Sequence, residues 1–274
     1  MGWTTITDWD DAYANRDHIP DPDAYPPRWQ AAAAAVRDRL GARARLGVTY
    51  GPGARQALDL FLPDGAPRGL AVFVHGGYWR RFERGLWSHL AVGPLARGWA
   101  VAMPSYTLAP ATRIAAITRE VGAAITRAAA GIAGPIVLAG HSAGGHLASR
   151  MVCADTPLAE AITARIAHVL SISGVHDLRP LLRTAMNADL RLDPSEAAAE
   201  SPALLTPLPG TRLTAWVGGD ERPEFIRQSA LLANVWTGLG AATRSVVEPG
   251  LHHFDVIDSL ATPDGALARA LTDI

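Results

Sequence analysis

Ile136-Val137-Leu138-Ala139-Gly140-His141-Ser142-Ala143-Gly144-Gly145 is the stretch on which the reading of this chain turns. Its first four residues are apolar on both faces, the pattern of a strand covered from both sides. The next six spell Gly-x-Ser-x-Gly with one more glycine, and a helix-period segment follows over residues 144–153. A serine held between a strand and a helix on so sharp a turn takes a strained backbone. Its flanking glycines are needed because a Cβ there meets neighbouring backbone. The turn lifts the Ser142 hydroxyl to the carboxyl edge of a sheet, where the start of the new helix favours developing negative charge. The pattern alone is weak; the strand before it and the helix after it give it meaning.

Residues 70–74, 100–103, 167–172 and 213–217 share the two-sided apolar pattern, and residues 243–247 form a last strand. Helix-period segments over 113–130 and 223–239 lie between them, and a further helix is predicted over 29–40. Residues 45–50 and 57–62 alternate around the turn Gly51-Pro52-Gly53, which predicts an antiparallel pair at a sheet edge. Strand and helix in alternation predict a doubly wound, mostly parallel α/β sheet with an antiparallel N-terminal edge. No linker or repeat breaks the chain, so residues 1–274 are expected to form one domain without a large cap. The 1–40 segment is expected to lie over the mouth of the site. The longest excursion, residues 178–209, carries Pro180, Pro194, Pro202, Pro207 and Pro209 and reads as a pocket rim or a surface loop.

A hydroxyl attacks a carbonyl only with a base, an orienting acid and a site for the oxyanion. After the strand ending at Val74 comes His75-Gly76-Gly77-Tyr78-Trp79, a glycine turn able to aim peptide N–H groups at the serine. The amides of Gly77, Tyr78 and Ala143 are the expected oxyanion donors, with His75 bracing the loop. The base is expected beyond the last strand, where Leu251-His252-His253-Phe254 offers two imidazoles. His253 is the choice, because the phenylalanine after it can anchor a following helix. The acid is expected after Val217, where Gly218-Gly219-Asp220-Glu221 offers two carboxylates that these residues alone do not separate. The order serine, acid, histidine fits an α/β-hydrolase fold.

All of the chain's basic side chains are arginine, and a formal net charge of −1 predicts no attraction to nucleic acid or acidic lipid. One cysteine, Cys153, rules out an internal disulfide and a multi-cysteine metal site, and reads as a small buried hydrophobe. Adjacent His252 and His253 diverge and have no third ligand, so no metal and no cofactor are expected. The opening Met1-Gly2-Trp3-Thr4-Thr5 runs into Asp8, Asp10 and Asp11 without the basic and apolar regions of a signal peptide. No apolar run approaches membrane-spanning length. The expectation is a soluble, cytoplasmic chain acting on a small molecule.

Taken together these motifs resemble the kynurenine formamidase (arylformamidase) branch of the α/β-hydrolases over nearly the whole chain. His75-Gly76-Gly77-Tyr78-Trp79 has the form of that family's loop. Gly140 to Leu147, Ser173-Gly174-Val175-His176-Asp177-Leu178, Ser201-Pro202, Glu224-Phe225-Ile226-Arg227-Gln228-Ser229, His253-Phe254 and Tyr25-Pro26-Pro27-Arg28-Trp29 also fit. In that family the acid stands three residues before the glutamate of Pro223-Glu224-Phe225. The resemblance therefore implies Glu221, where eukaryotic relatives carry aspartate, with Asp220 as rival. It further implies removal of a formyl group from an aryl amide such as N-formylkynurenine, through Ser142, Glu221 and His253. Tyr78, Trp79 and Trp87 are candidates to line an aromatic pocket. The same machinery serves small or aryl esters; a noncatalytic binding protein on this scaffold is the reading of a different class.

Overall fold

The computed structural model describes residues 5–274; Met1 to Thr4, part of the supposed non-leader start, lie outside the described residues. Eight strands run β1 Ala44–Thr49, β2 Ala57–Phe61, β3 Leu70–Val74, β4 Ala100–Pro104, β5 Ile136–His141, β6 Ile166–Ile172, β7 Arg212–Gly218 and β8 Ala242–Glu248. They form one sheet in the order β1-β2-β4-β3-β5-β6-β7-β8. β1 pairs antiparallel with β2, and β2 with β4. Every other pairing is parallel, with β5 in the middle of that run. The architecture is the expected one: a mostly parallel α/β sheet with an antiparallel N-terminal edge.

The uniform apolar runs are explained by two separate cores, because successive side chains of a strand point to opposite faces. Val72, Val74 and Leu138 face a core completed by Ile117, Val121 and Ile125 of the Ile114–Ala129 helix and by Trp236 of the Pro223–Gly238 helix. Ala71, Phe73, Val137 and Ala139 face the other, with Trp29, Trp87, Leu267 and Leu271. Each large side chain so buried is worth about 1.5–3 kcal/mol, so neither face tolerates polar substitution.

The N-terminal helix spans Tyr25–Leu40 and buries Trp29, Ala33, Val36 and Leu40, at helical spacing. It starts one turn earlier than residue 29, because Pro26 and Pro27 fall in its first turn, where a missing N–H costs nothing and the fixed φ suits a helix. Cys153 is fully buried and bridges to Pro207; burial pushes its thiol up to about 12. The excursion between β6 and β7 is not a bare loop. It carries the short helices Arg179–Arg183, Asn187–Leu190, Pro194–Ala199 and Pro202–Leu204.

Candidate active site

Ser142 closes β5 and caps the Ala143–Arg150 helix with φ 57° and ψ −119°, a conformation L-residues rarely take. The cost is imposed by packing. A Cβ on Gly144 would lie 1.9 Å from the Val74 carbonyl oxygen, and one on Gly140 would lie 2.0 Å from that of Gly144. The elbow therefore sits directly against the end of β3. Its own amide donates to Ile172 O at the end of β6 (2.8 Å).

The glycine turn after β3 wraps the serine. A Cβ on Gly76 would lie 2.8 Å from His141 O and 3.0 Å from Ser142 Cβ. Gly77, Tyr78 and Trp79 all have positive φ, at 108°, 52° and 57°. Among the described residues no hydrogen bond occupies the amides of Gly77 and Tyr78, and that of Ala143 is one of the orphan donors of a helix start. His75 is fully enclosed and stacks on Tyr106 (ring centroids 4.4 Å apart), with Nδ1 2.7 Å from Gly76 O. Burial lowers its pKa to about 4, so at neutral pH it is an uncharged brace.

His253 and Glu221 meet next to the elbow, where the His253 ring packs on that of His141. His253 Nδ1 lies 2.6 Å from Glu221 Oε2, and both side chains are shielded from solvent. The imidazole is held between Phe225 (4.7 Å between centroids) and His141 (4.5 Å). Glu221 Oε1 accepts from the Gly218 amide (2.9 Å) and from the Ser173 hydroxyl. Asp220 is exposed, its amide tied to Leu251 O (3.0 Å). His252 points elsewhere: its Nε2 lies 2.9 Å from the Tyr25 hydroxyl, and its Nδ1 accepts from the Phe254 amide.

Two expectations need correction. Phe254 anchors no helix directly after it; it packs edge-on against Tyr25 and Trp29 (centroids 5.4 and 5.3 Å apart), because the early start of the N-terminal helix brings those rings across. Trp79 lines no pocket. It is completely buried in the core against His146, since its positive φ turns the side chain inward from the loop.

Ser142 and His253 both line one cavity of about 640 Å³, together with Gly76, Gly77 and Tyr78. Its aromatic wall is Tyr13, Trp29, Tyr78, Phe82, Trp87 and Phe254. Residues from Asp10 to Trp29 make up much of the lining, and the excursion contributes Ala185 and Met186. At the charged rim Arg16 pairs with Asp23, and Arg80 with Asp189. The N-terminal segment is fastened here by polar contacts. The Tyr78 hydroxyl donates to Tyr13 O, the Arg222 amide to Asn15 Oδ1 (3.1 Å), and the Tyr13 hydroxyl to Glu224 Oε1 (2.8 Å).

Tyr13, Asn15 and the interaction of Ser173 with Glu221 escaped the sequence reading. No local pattern signals a contact between residues 211 apart, such as Tyr13 and Glu224. Other quoted motifs have structural work. Gln228 Oε1 accepts from the amides of His176 and Asp177 (2.8 Å each), and Ser201 Oγ from that of Leu178 (2.7 Å). Among the described residues no group of three or more His, Cys, Asp or Glu is placed to hold a metal. No helix among them is long and apolar enough to cross a membrane.

A model of the alpha/beta hydrolase family matches residues 71–273, well over half of the chain. The chain belongs to the alpha/beta hydrolase family. This hydrolase is similar to the kynurenine formamidase of Salmo salar, with 29% identity over 250 residues covering 86% of this chain and 83% of that one. It is likewise similar to the kynurenine formamidase of Danio rerio, with 28% identity over 248 residues and the same coverage. Among solved structures, a Silicibacter sp. protein provisionally described as a thioesterase is 50% identical, with a TM-score of 0.93 over 97% of this chain and 99% of that one. Esterase B of Lactobacillus rhamnosis, 19% identical with a TM-score of 0.63 over 92% of this chain and 93% of its own, shares the fold. The chain is thus a hydrolase enzyme.

Proposed function

We propose that this enzyme is a serine hydrolase that takes a small acyl group, formyl above all, from an aryl amide such as N-formylkynurenine through an acyl-enzyme. The observation that carries the proposal is that His253, backed by Glu221, lines the same cavity as the strained Ser142 elbow and the free loop amides. Ser142 Oγ attacks the acyl carbon while His253 Nε2 takes its proton; Nδ1 stays with Glu221. The amides of Gly77, Tyr78 and Ala143 hold the oxyanion. The C–N bond then breaks as His253 returns the proton to the aryl nitrogen, and the free amine leaves. Water adds to the acyl-enzyme by the same route, releasing formate and Ser142. The aromatic wall suits a flat aryl leaving group, and the segment from Asp10 to Trp29 closes over it in what we read as one domain.

Likeness to the kynurenine formamidases supports the amide, and likeness to a structure described as a thioesterase supports an ester or thioester. Both readings use one acyl-enzyme, so the deciding measurement is kcat/KM across formyl, acetyl and longer acyl anilides, esters and thioesters. The amide reading expects formyl anilides to lead; a preference for long-chain esters or thioesters overturns it. Ser142→Ala is expected to lower turnover by about 10³- to 10⁶-fold, and near-full activity in that variant ends the mechanism.

A further inference from the structure

Ser173 follows the last residue of β6 and is completely buried. Its φ is 52°, in the left-handed region that glycine occupies more cheaply, and its amide donates to Trp216 O in β7. Serine at such a site is strained relative to a relaxed backbone. The hydroxyl it places there donates to Glu221 Oε1, alongside the Gly218 amide, while Oε2 faces His253. A bond to a charged acceptor away from water is the strong kind. A glutamate has one more rotatable bond than an aspartate, and that bond must be frozen before its carboxylate can aim a neighbour. Gly218, the last residue of β7, holds Oε1 from one direction. The Ser173 hydroxyl, just beyond the neighbouring strand β6, holds the same oxygen from a second direction.

We propose that Ser173 is a positioning residue for the reaction: its hydroxyl locks the carboxylate of Glu221 so that Oε2 aims the His253 ring at Ser142. The inference rests on Glu221 being the acid behind His253 and goes beyond it, by saying what lets a glutamate fill that place.

The test is the second-order rate at which a fluorophosphonate labels Ser142, measured with the thermal midpoint in wild type, S173A, S173G, E221Q and S173A/E221Q. S173G relieves the positive φ, so its fold is kept. S173A and S173G are expected to label about 10- to 100-fold more slowly at a temperature well below their midpoints, which the lost hydrogen bond lowers by about 2–10 °C. In the E221Q background, S173A is expected to change the rate less than about threefold, since the group it positions is gone. Labelling within about twofold of wild type in S173G overturns the proposal, as does an equal loss with and without Glu221. Absence of labelling at Ser142 in the wild type is a different result: it removes the acyl-enzyme reading and this inference with it.

Discussion

At the scale of single residues the site is a set of choices between neighbours, and burial makes each choice. Asp220 and Glu221 are adjacent, but only Glu221 turns inward to His253, and Asp220 stays in solvent. Glu221→Gln is therefore expected to cut kcat/KM on the best acyl anilide by about 100-fold or more, and Asp220→Asn to leave it within about twofold. The reverse pattern would move the acid to Asp220. His252 and His253 divide in the same way, one tied to Tyr25 and the other to Glu221. Positive φ recurs at the site: Ser142, Tyr78 and Phe82 carry it on the cavity wall, and the buried Trp79 and Ser173 carry it behind that wall. Of these, Ser142 was legible in the sequence because glycines on both sides announce its turn. Ser173 was not, since its role exists only once β6 and β7 lie side by side.

At the scale of elements, what distinguishes this molecule is how its N-terminal segment is fastened over the carboxyl edge of the sheet. Tyr13 donates to Glu224, whose two oxygens also receive the Arg227 guanidinium (2.7 Å each), and Gln228 joins the same cluster. The Tyr13 ring packs edge-on to Phe225, which in turn packs on His253. Burial, with the Glu224 charge beside it, holds the Tyr13 phenol far above its ordinary pKa, so it remains a donor throughout the working range. Removing the hydroxyl in Tyr13→Phe leaves a buried carboxylate short of one donor. We expect a loss of about 1–3 kcal/mol in the urea unfolding free energy. An unchanged midpoint would mean that the cluster does not hold the segment down. The strands and the longer helices were readable from periodicity to within a few residues, apart from the extra first turn at Tyr25, which followed from proline chemistry rather than apolar spacing; the short helices Trp9–Tyr13, Val92–Ala96 and Ala266–Thr272 were not read.

At the scale of the whole molecule, acid is the expected weakness. Burial lowers the pKa of His75, His89 and His168 to about 4, and that of His146 and His176 to about 3, from 6.5. The unfolded chain protonates these groups near 6.5 and the folded one only well below, so the unfolded state binds more protons between those limits. Folding stability is thus full above about pH 6.5 and falls as the pH drops toward 4 and 3. Urea midpoints measured at pH 7.5, 6 and 5 should decline steadily; a flat profile would show that these rings find water or partners when charged. Sequence alone determined the layer architecture, because two-sided apolar strands alternating with helices have few ways to bury themselves. It also determined the strand–turn–helix elbow at Ser142, because a turn so tight needs glycine at positions 140 and 144. The strand order, the choice of Glu221, the second donor on its carboxylate and the aromatic wall from residues 13 and 29 were decided by the tertiary structure. These depend on contacts between segments far apart in the chain, and local pattern carries no information about which distant side chain will arrive.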